Sequence, residues 1–255
     1  MDIDKIYLGD AYELIKQVPD HSVDLIMTDP PYAIQNLHTG TGILKDKSKA
    51  RHIEEMKESG LGSSLVLKIL DEFMRVMKVP NIYIWCNKKQ IYDYMTYFVK
   101  EHNCKFDIII WAKNNPIPFV GGHYLNDKEY CLFFYKGAKV QGDYNSLKTC
   151  YITSTNKEDK KQYLHPTIKP EEIIKTLVKN SCCGGIVLDP FVGSGTTCVC
   201  AKRLGLHYLG FEINPKYHKI AVDRINGINQ KGEMNLLDMN FKQLNLNLGA
   251  KENDN

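Results

Sequence analysis

This 255-residue chain predicts an α/β fold: a doubly wound, mostly parallel sheet with helices on both faces and a small polar insertion. Three observations lead there. Short apolar runs of strand length alternate with segments of helical period almost throughout, the order that builds a parallel sheet covered on both sides. Two of those runs end in acidic turns stiffened by proline or loosened by glycine, at Asp29-Pro30-Pro31-Tyr32 and at Asp189-Pro190-Phe191-Val192-Gly193-Ser194-Gly195. The intervening connections are short, except for two polar stretches at 33–63 and 137–164.

In order, residues 5–8 read as a brief strand that ends at Gly9-Asp10, and 11–18 as a short helix for which Asp10 is a ready N-cap. Residues 23–28 form an apolar strand that the two prolines terminate. Residues 33–63 are polar and glycine-punctuated, long enough to be a functional, mobile loop. Leu65, Ile69, Leu70, Phe73, Val76 and Met77 fall at helical spacing over 64–78. A strand at 81–86, a helix at 88–102, a strand at 106–111 and a paired strand at 129–135 follow. Residues 137–164 read as an irregular insertion outside the core. Pro170 suits the first position of a helix over 170–180. Strand 185–188, helix 195–205, strand 207–211 and helix 215–226 complete the domain, expected to span 1–226. Residues 227–255 form a polar C-terminal extension whose end is expected to be disordered.

Composition is that of a soluble globular protein, with 43% hydrophobic and 25% charged residues. Met1-Asp2-Ile3-Asp4 is acidic where a signal peptide would be basic, so a cytoplasmic location is expected. The eight cysteines show no C-x-x-C spacing, which predicts buried reduced thiols and no metal site. A net charge of +3 says little about nucleic acid. Locally, Lys45, Lys47, Lys49 and Arg51 form one basic cluster, and Lys157, Lys160 and Lys161 another. Both read first as solvated loops and second as DNA phosphate contacts.

Asp29, the Pro30 carbonyl and the Tyr32 ring share one stiff strand end, because each proline restricts the backbone around it. Two acceptors beside a stacking ring suit a planar heterocycle that carries an amino group. The second turn has strand, glycine-rich loop and helix in sequence, and Glu212 ends the next strand 17 residues beyond Gly195. Glycines there permit a tight turn and close approach of backbone to a ligand, and the acid suits ribose hydroxyls. Position 198 is Cys where a dinucleotide fingerprint has its third glycine, and no P-loop Gly-Lys-Ser/Thr occurs. A nicotinamide oxidoreductase would explain this loop and Glu212, but not Asp29 to Tyr32.

Asp29-Pro30-Pro31-Tyr32 resembles the catalytic motif of DNA amino-methyltransferases, and Asp189 to Thr197 resembles their S-adenosylmethionine motif, D-P-F-x-G-x-G-T-T. His165-Pro166-Thr167-Ile168-Lys169-Pro170 is similar to a third segment of the same enzymes. The order, catalytic motif first, is that of the β group, and the resemblance covers roughly residues 5–226. It implies S-adenosylmethionine as cofactor, held by Asp10, Thr167, Lys169, Asp189, Phe191, Gly193, Gly195, Thr196 and Glu212. Lys169 would lie near the cofactor carboxylate, while Phe191 serves the sulfonium or the core. It also implies Asp29, Pro30, Pro31 and Tyr32 as the catalytic set. Asp at the first motif position leans toward adenine over cytosine as the base. The absence of a Pro-Cys dipeptide argues against carbon-5 cytosine methylation. DNA is the implied partner, flipped base included, with 137–164 reading the target and 33–63 assisting. No membrane is involved, and the resemblance is compatible with a homodimer and a companion restriction endonuclease.

Overall fold

The computed structural model describes residues 1–31, 64–116, 124–155 and 168–228. Strand β1 (Lys5–Leu8) leads to helix α1 (Ala11–Leu14), which continues as a 3₁₀ turn at Ile15–Gln17. Next come β2 (Leu25–Thr28), α2 (Ser64–Val76), β3 (Asn81–Cys86) and α3 (Ile91–Met95), the last running into a π-helical turn at Thr96–Glu101. Strands β4 (Lys105–Lys113), β5 (Lys128–Tyr135) and β6 (Cys150–Thr153) precede α4 (Glu171–Ser181). The described chain closes with β7 (Ile186–Asp189), α5 (Thr196–Arg203), β8 (His207–Glu212) and α6 (Pro215–Ile225).

These strands form one eight-stranded sheet in the order β1-β8-β7-β2-β3-β5-β4-β6. Pairing is parallel from β1 through β3, antiparallel on both sides of β5, and parallel again between β4 and β6. The mostly parallel, doubly wound expectation therefore holds. Strand periodicity separates two cores. Ile26, Ile82, Ile84, Leu188 and Phe211 face α1, α2 and α3, whereas Leu25, Met27, Tyr83, Trp85 and Val187 face α4, α5 and α6. Strands buried on both faces read as unbroken apolar runs, and β2 and β3 are buried at every position.

Two expected elements differ. The helix expected from residue 88 begins at Ile91, because the Asn87 side chain accepts from the Lys89 and Gln90 amides and holds 87–90 in a turn. Within the stretch expected to be irregular, Cys150–Thr153 pairs with β4 from Ile110↔Cys150 to Lys113↔Thr153. That stretch is tied to the body at a second point, where the Gln141 amide and the Asn180 side chain exchange bonds with the Asn180 and Ser146 carbonyls. Among the described residues no helix is long and apolar enough to cross a membrane. All eight cysteines are free, six of them buried and Cys150 and Cys183 exposed.

Candidate active site

The four parallel strands β1, β8, β7 and β2 end at one edge of the sheet, where ligands bind in doubly wound folds. There the chain forms a half-open cavity of about 340 Å³. Its wall is drawn from the β1–α1 turn (Gly9 to Tyr12), the end of β2 (Thr28, Asp29, Pro31), Trp85, Lys169, the 189–194 loop, Thr196, Thr197, Glu212, Ile213 and Tyr217. The register Leu25↔Val187 and Ile26↔Leu188 sets β2 and β7 side by side, so the two acidic turns face a single space although Asp29 and Asp189 are 160 positions apart.

On the glycine-loop side, backbone geometry dominates. Gly193 and Gly195 have φ of 54° and 88°, in the left-handed region, and Gly195 is the N-cap of α5. A Cβ on Gly195 would lie 3.0 Å from the Ala221 Cβ and 3.1 Å from its Cα. Glu212 accepts from the Gly193 amide at 2.8 Å and from the Asn214 amide at 2.8 Å. Asp189 is buried and accepts from Thr28 Oγ1 at 3.1 Å and the Phe191 amide at 3.1 Å. Burial pushes its carboxyl up to about 7, and hydrogen bonds from Thr197, the Phe191 amide and Thr28 offset only part of that rise. Buried Arg224 donates to the Thr196 hydroxyl at 2.9 Å, to the Ser194 carbonyl at 3.4 Å and to Glu171 at 3.0 Å.

The β2 side relies on side-chain charge. Lys169 Nζ lies 2.5 Å from Asp29 Oδ2 and 3.2 Å from Glu129 Oε2, and 5.2 Å from the centre of the Trp85 ring. Glu129 also accepts from Lys113 Nζ at 2.6 Å. Cys86 is close enough to feel both Asp29 and Lys169. Burial and the Asp29 charge push its thiol up to about 12, so it stays protonated and is no nucleophile.

Of the residues singled out in the sequence, Asp10, Asp29, Pro31, Lys169, Asp189, Phe191, Gly193, Thr196 and Glu212 all border this cavity. Pro30 is buried at the same strand end, and Gly195 shapes the loop from behind. Asp10 also caps α1 by accepting from the Tyr12 amide at 2.9 Å, so the capping role is present alongside its place in the wall. Lys169 lies in the wall with its ammonium bonded to the Asp29 carboxylate. Tyr32, Thr167, Lys45, Lys47, Lys49, Arg51, Lys157, Lys160 and Lys161 lie outside the described residues. Sequence reasoning missed Tyr12, Thr28, Thr197, Tyr217 and the pairing of Glu129 with Lys169. Thr28 carried a signal, being the polar last residue of an apolar strand directly before Asp29. Among the described residues no cluster of His, Cys, Asp and Glu is suited to a metal ion.

The donor set fits a ligand with hydroxyls, a cation and a carboxylate, since four carboxylates from four strand ends and one buried lysine line it. The unpartnered indole Nε1 of buried Trp85, also in the wall, offers one further donor.

Comparison with known proteins agrees. Residues 23–223 match the DNA methylase family of the N6/N4 type. The type II methyltransferase M.HinfI of Haemophilus influenzae is 30% identical over 94% of this chain and 73% of the relative. M2.LlaDCHI of Lactococcus lactis subsp. cremoris is 31% identical over 86% of this chain and 87% of the relative. The crystal structure of an M1.HpyAVI–SAM complex superposes with a TM-score of 0.63 at 26% identity, covering 87% of this chain and 99% of that one. The cytosine-N4-specific PvuII DNA methyltransferase, at 19% identity and TM-score 0.65, shares the fold. With its catalytic segment ahead of its glycine loop, this chain belongs to the β group of the DNA amino-methyltransferases.

Proposed function

We propose that this DNA methyltransferase acts on the exocyclic amino nitrogen of adenine, with Asp29 as the acceptor that orients the reacting amine. One observation carries the reading: Asp29 and the Gly193 loop border one cavity, at the ends of adjacent parallel strands. S-adenosylmethionine is the methyl donor, and when bound it supplies an electrophilic methyl group on a sulfonium that leaves as a neutral thioether. No thiolate and no metal is needed for that chemistry, so positioning is the protein's main contribution.

The base must leave the duplex, because its amino group is paired and stacked there. Asp29 and the Pro30 carbonyl accept its two N–H groups and draw electron density onto nitrogen. Tyr32 stacks on the ring, at about 1–3 kcal/mol per base. Glu212 holds ribose hydroxyls, Asp10 the cofactor's adenine amino group, and Asp189 the cationic end. Asp at the first motif position supports adenine. Residues 137–164, with residues 33–63, are proposed to read the target.

Tritium transfer from labelled S-adenosylmethionine to DNA, followed by nucleoside separation, tests the assignment. Label in N6-methyladenine is expected. Label in N4-methylcytosine would select cytosine, and unlabelled DNA would overturn the activity. Asp29→Ala should lose transfer by about 10³-fold with cofactor binding retained. Tyr32→Ala should lose about 10- to 100-fold and Tyr32→Phe far less, and equal losses would move the role from the ring to the hydroxyl.

A further inference from the structure

We propose that Glu129 is a positioning residue that receives the Lys169 ammonium when the target amine takes its place on Asp29. The proposal rests on the reading of Asp29 as the acceptor of that amine. An ammonium and a base amino group are both N–H donors, and both need the same carboxylate. In the structure Lys169 holds it, with Nζ 2.5 Å from Asp29 Oδ2. Lys169 is buried, so an ammonium pushed off Asp29 with no second anion would bear a heavy desolvation cost.

Glu129 is already placed to prevent that, with Oε2 at 3.2 Å from the same Nζ. A shift of roughly half an ångström closes this separation to an ordinary charge-assisted hydrogen bond. The register of β5 against β4 pairs Glu129 with Trp111 and brings it to Lys113, two residues further along β4. Lys113 Nζ binds the other oxygen, Oε1, at 2.6 Å, which leaves Oε2 directed to Lys169. Burial alone would raise the Glu129 carboxyl, but Lys169 and Lys113 outweigh it and hold the group below the usual glutamate range. Lys113, Glu129, Lys169 and Asp29 thus alternate in sign, and the third can move between its two anions without entering water.

Glu129→Gln keeps the shape and removes the charge. Its KM for unmethylated plasmid DNA should rise about tenfold, while S-adenosylmethionine affinity, measured by calorimetry, stays within about twofold. Glu129→Asp, which restores the charge, should recover part of the DNA KM. An unchanged DNA KM in Glu129→Gln overturns the proposal. So does a matching loss of cofactor affinity, which would mean that Glu129 merely builds the pocket, and so does failure of Glu129→Asp to recover anything. Wild-type enzyme run beside them separates the two levels: if it leaves DNA unlabelled, the methyl-transfer reading fails, whereas active wild type with an unaltered Glu129→Gln removes this inference alone.

Discussion

The two walls of the cavity are built by different means. On the β7–β8 side the backbone sets the shape: left-handed glycines, amides bonded to Glu212, and a loop braced by Arg224. On the β2 side, shape depends on an exchangeable set of ion pairs around Lys169. Backbone geometry cannot be adjusted once folded, which suits a ligand that is the same in every turnover. Ion pairs can trade partners at little cost when a second anion is near. That suits a base that must arrive, be oriented and leave. If this division is real, damage to the first wall should appear as lost stability, and damage to the second as altered kinetics.

The largest effect on stability is expected from Asp189, the unfavourable carboxyl of the rigid wall. Its folded value of about 7 lies above the ordinary 3.8, so the native state holds its proton more tightly than the unfolded chain does. The sign follows: this group adds no cost below about pH 4, and its cost grows as pH rises toward 7 and then stays constant. At one pH unit per 1.36 kcal/mol the full span is about 4 kcal/mol, an upper bound. Asp189→Asn should therefore gain stability relative to wild type at pH 8 and lose that advantage by pH 4, in urea melts at the two values. A pH-independent difference would show that Asp189 ionises normally.

Next comes Gly195→Ala. A side chain at φ 88° costs about 1–2 kcal/mol, and its Cβ would meet the Ala221 backbone at 3.1 Å, adding overpacking. A loss of about 3 kcal/mol is expected, with cofactor binding abolished at temperatures where the fold persists. Full cofactor affinity in this variant would break the claim that backbone shape defines that wall.

What could be read from the chain follows the same division. Asp29 and Gly193 were legible because each sits where an apolar strand meets a residue that stops it, and both signals are local. Strands β2, β3, β7 and β8 were legible as buried runs. Strand β6 was not, since Cys150–Thr153 is a half-exposed edge strand of four residues within polar sequence. The Lys169–Glu129 meeting was invisible as well. It depends on β5 running antiparallel beside β3 with its end at the cavity, and no periodicity within 128–135 encodes that neighbour. Arg224 looked like any basic residue in the last turn of an amphipathic helix. Its burial comes with bonds to the start of α5 and to Glu171 on α4, neither of which its own helix shows.

Arg224→Leu ranks third. It removes a buried cation that serves Thr196, the Ser194 carbonyl and Glu171 together. Breaking a buried pair from one side costs about 3–5 kcal/mol. Glu171 is a quarter exposed and retains Arg203, so about 2 kcal/mol is the better expectation. Cofactor affinity should fall with stability, because the loop and the start of α4 lose their common tie. A variant that melts normally yet binds cofactor weakly would shift Arg224 from bracing the loop to acting on the ligand.

The smallest effect belongs to the seam between the walls. Thr28 is the last residue of β2, and its hydroxyl donates to Asp189 at the end of β7. Thr28→Val preserves shape and removes one donor from a buried carboxylate, at a cost of about 1 kcal/mol when that carboxylate is charged. The lost bond favoured the ionised form, so the Asp189 carboxyl should titrate still higher in the variant. The penalty must then be larger at pH 8 than at pH 5, where the proton is already present in both proteins. Combining Thr28→Val with Asp189→Asn should erase the pH dependence of the penalty, since the second change removes the group that titrates. Persistence of that dependence would place the titrating partner elsewhere.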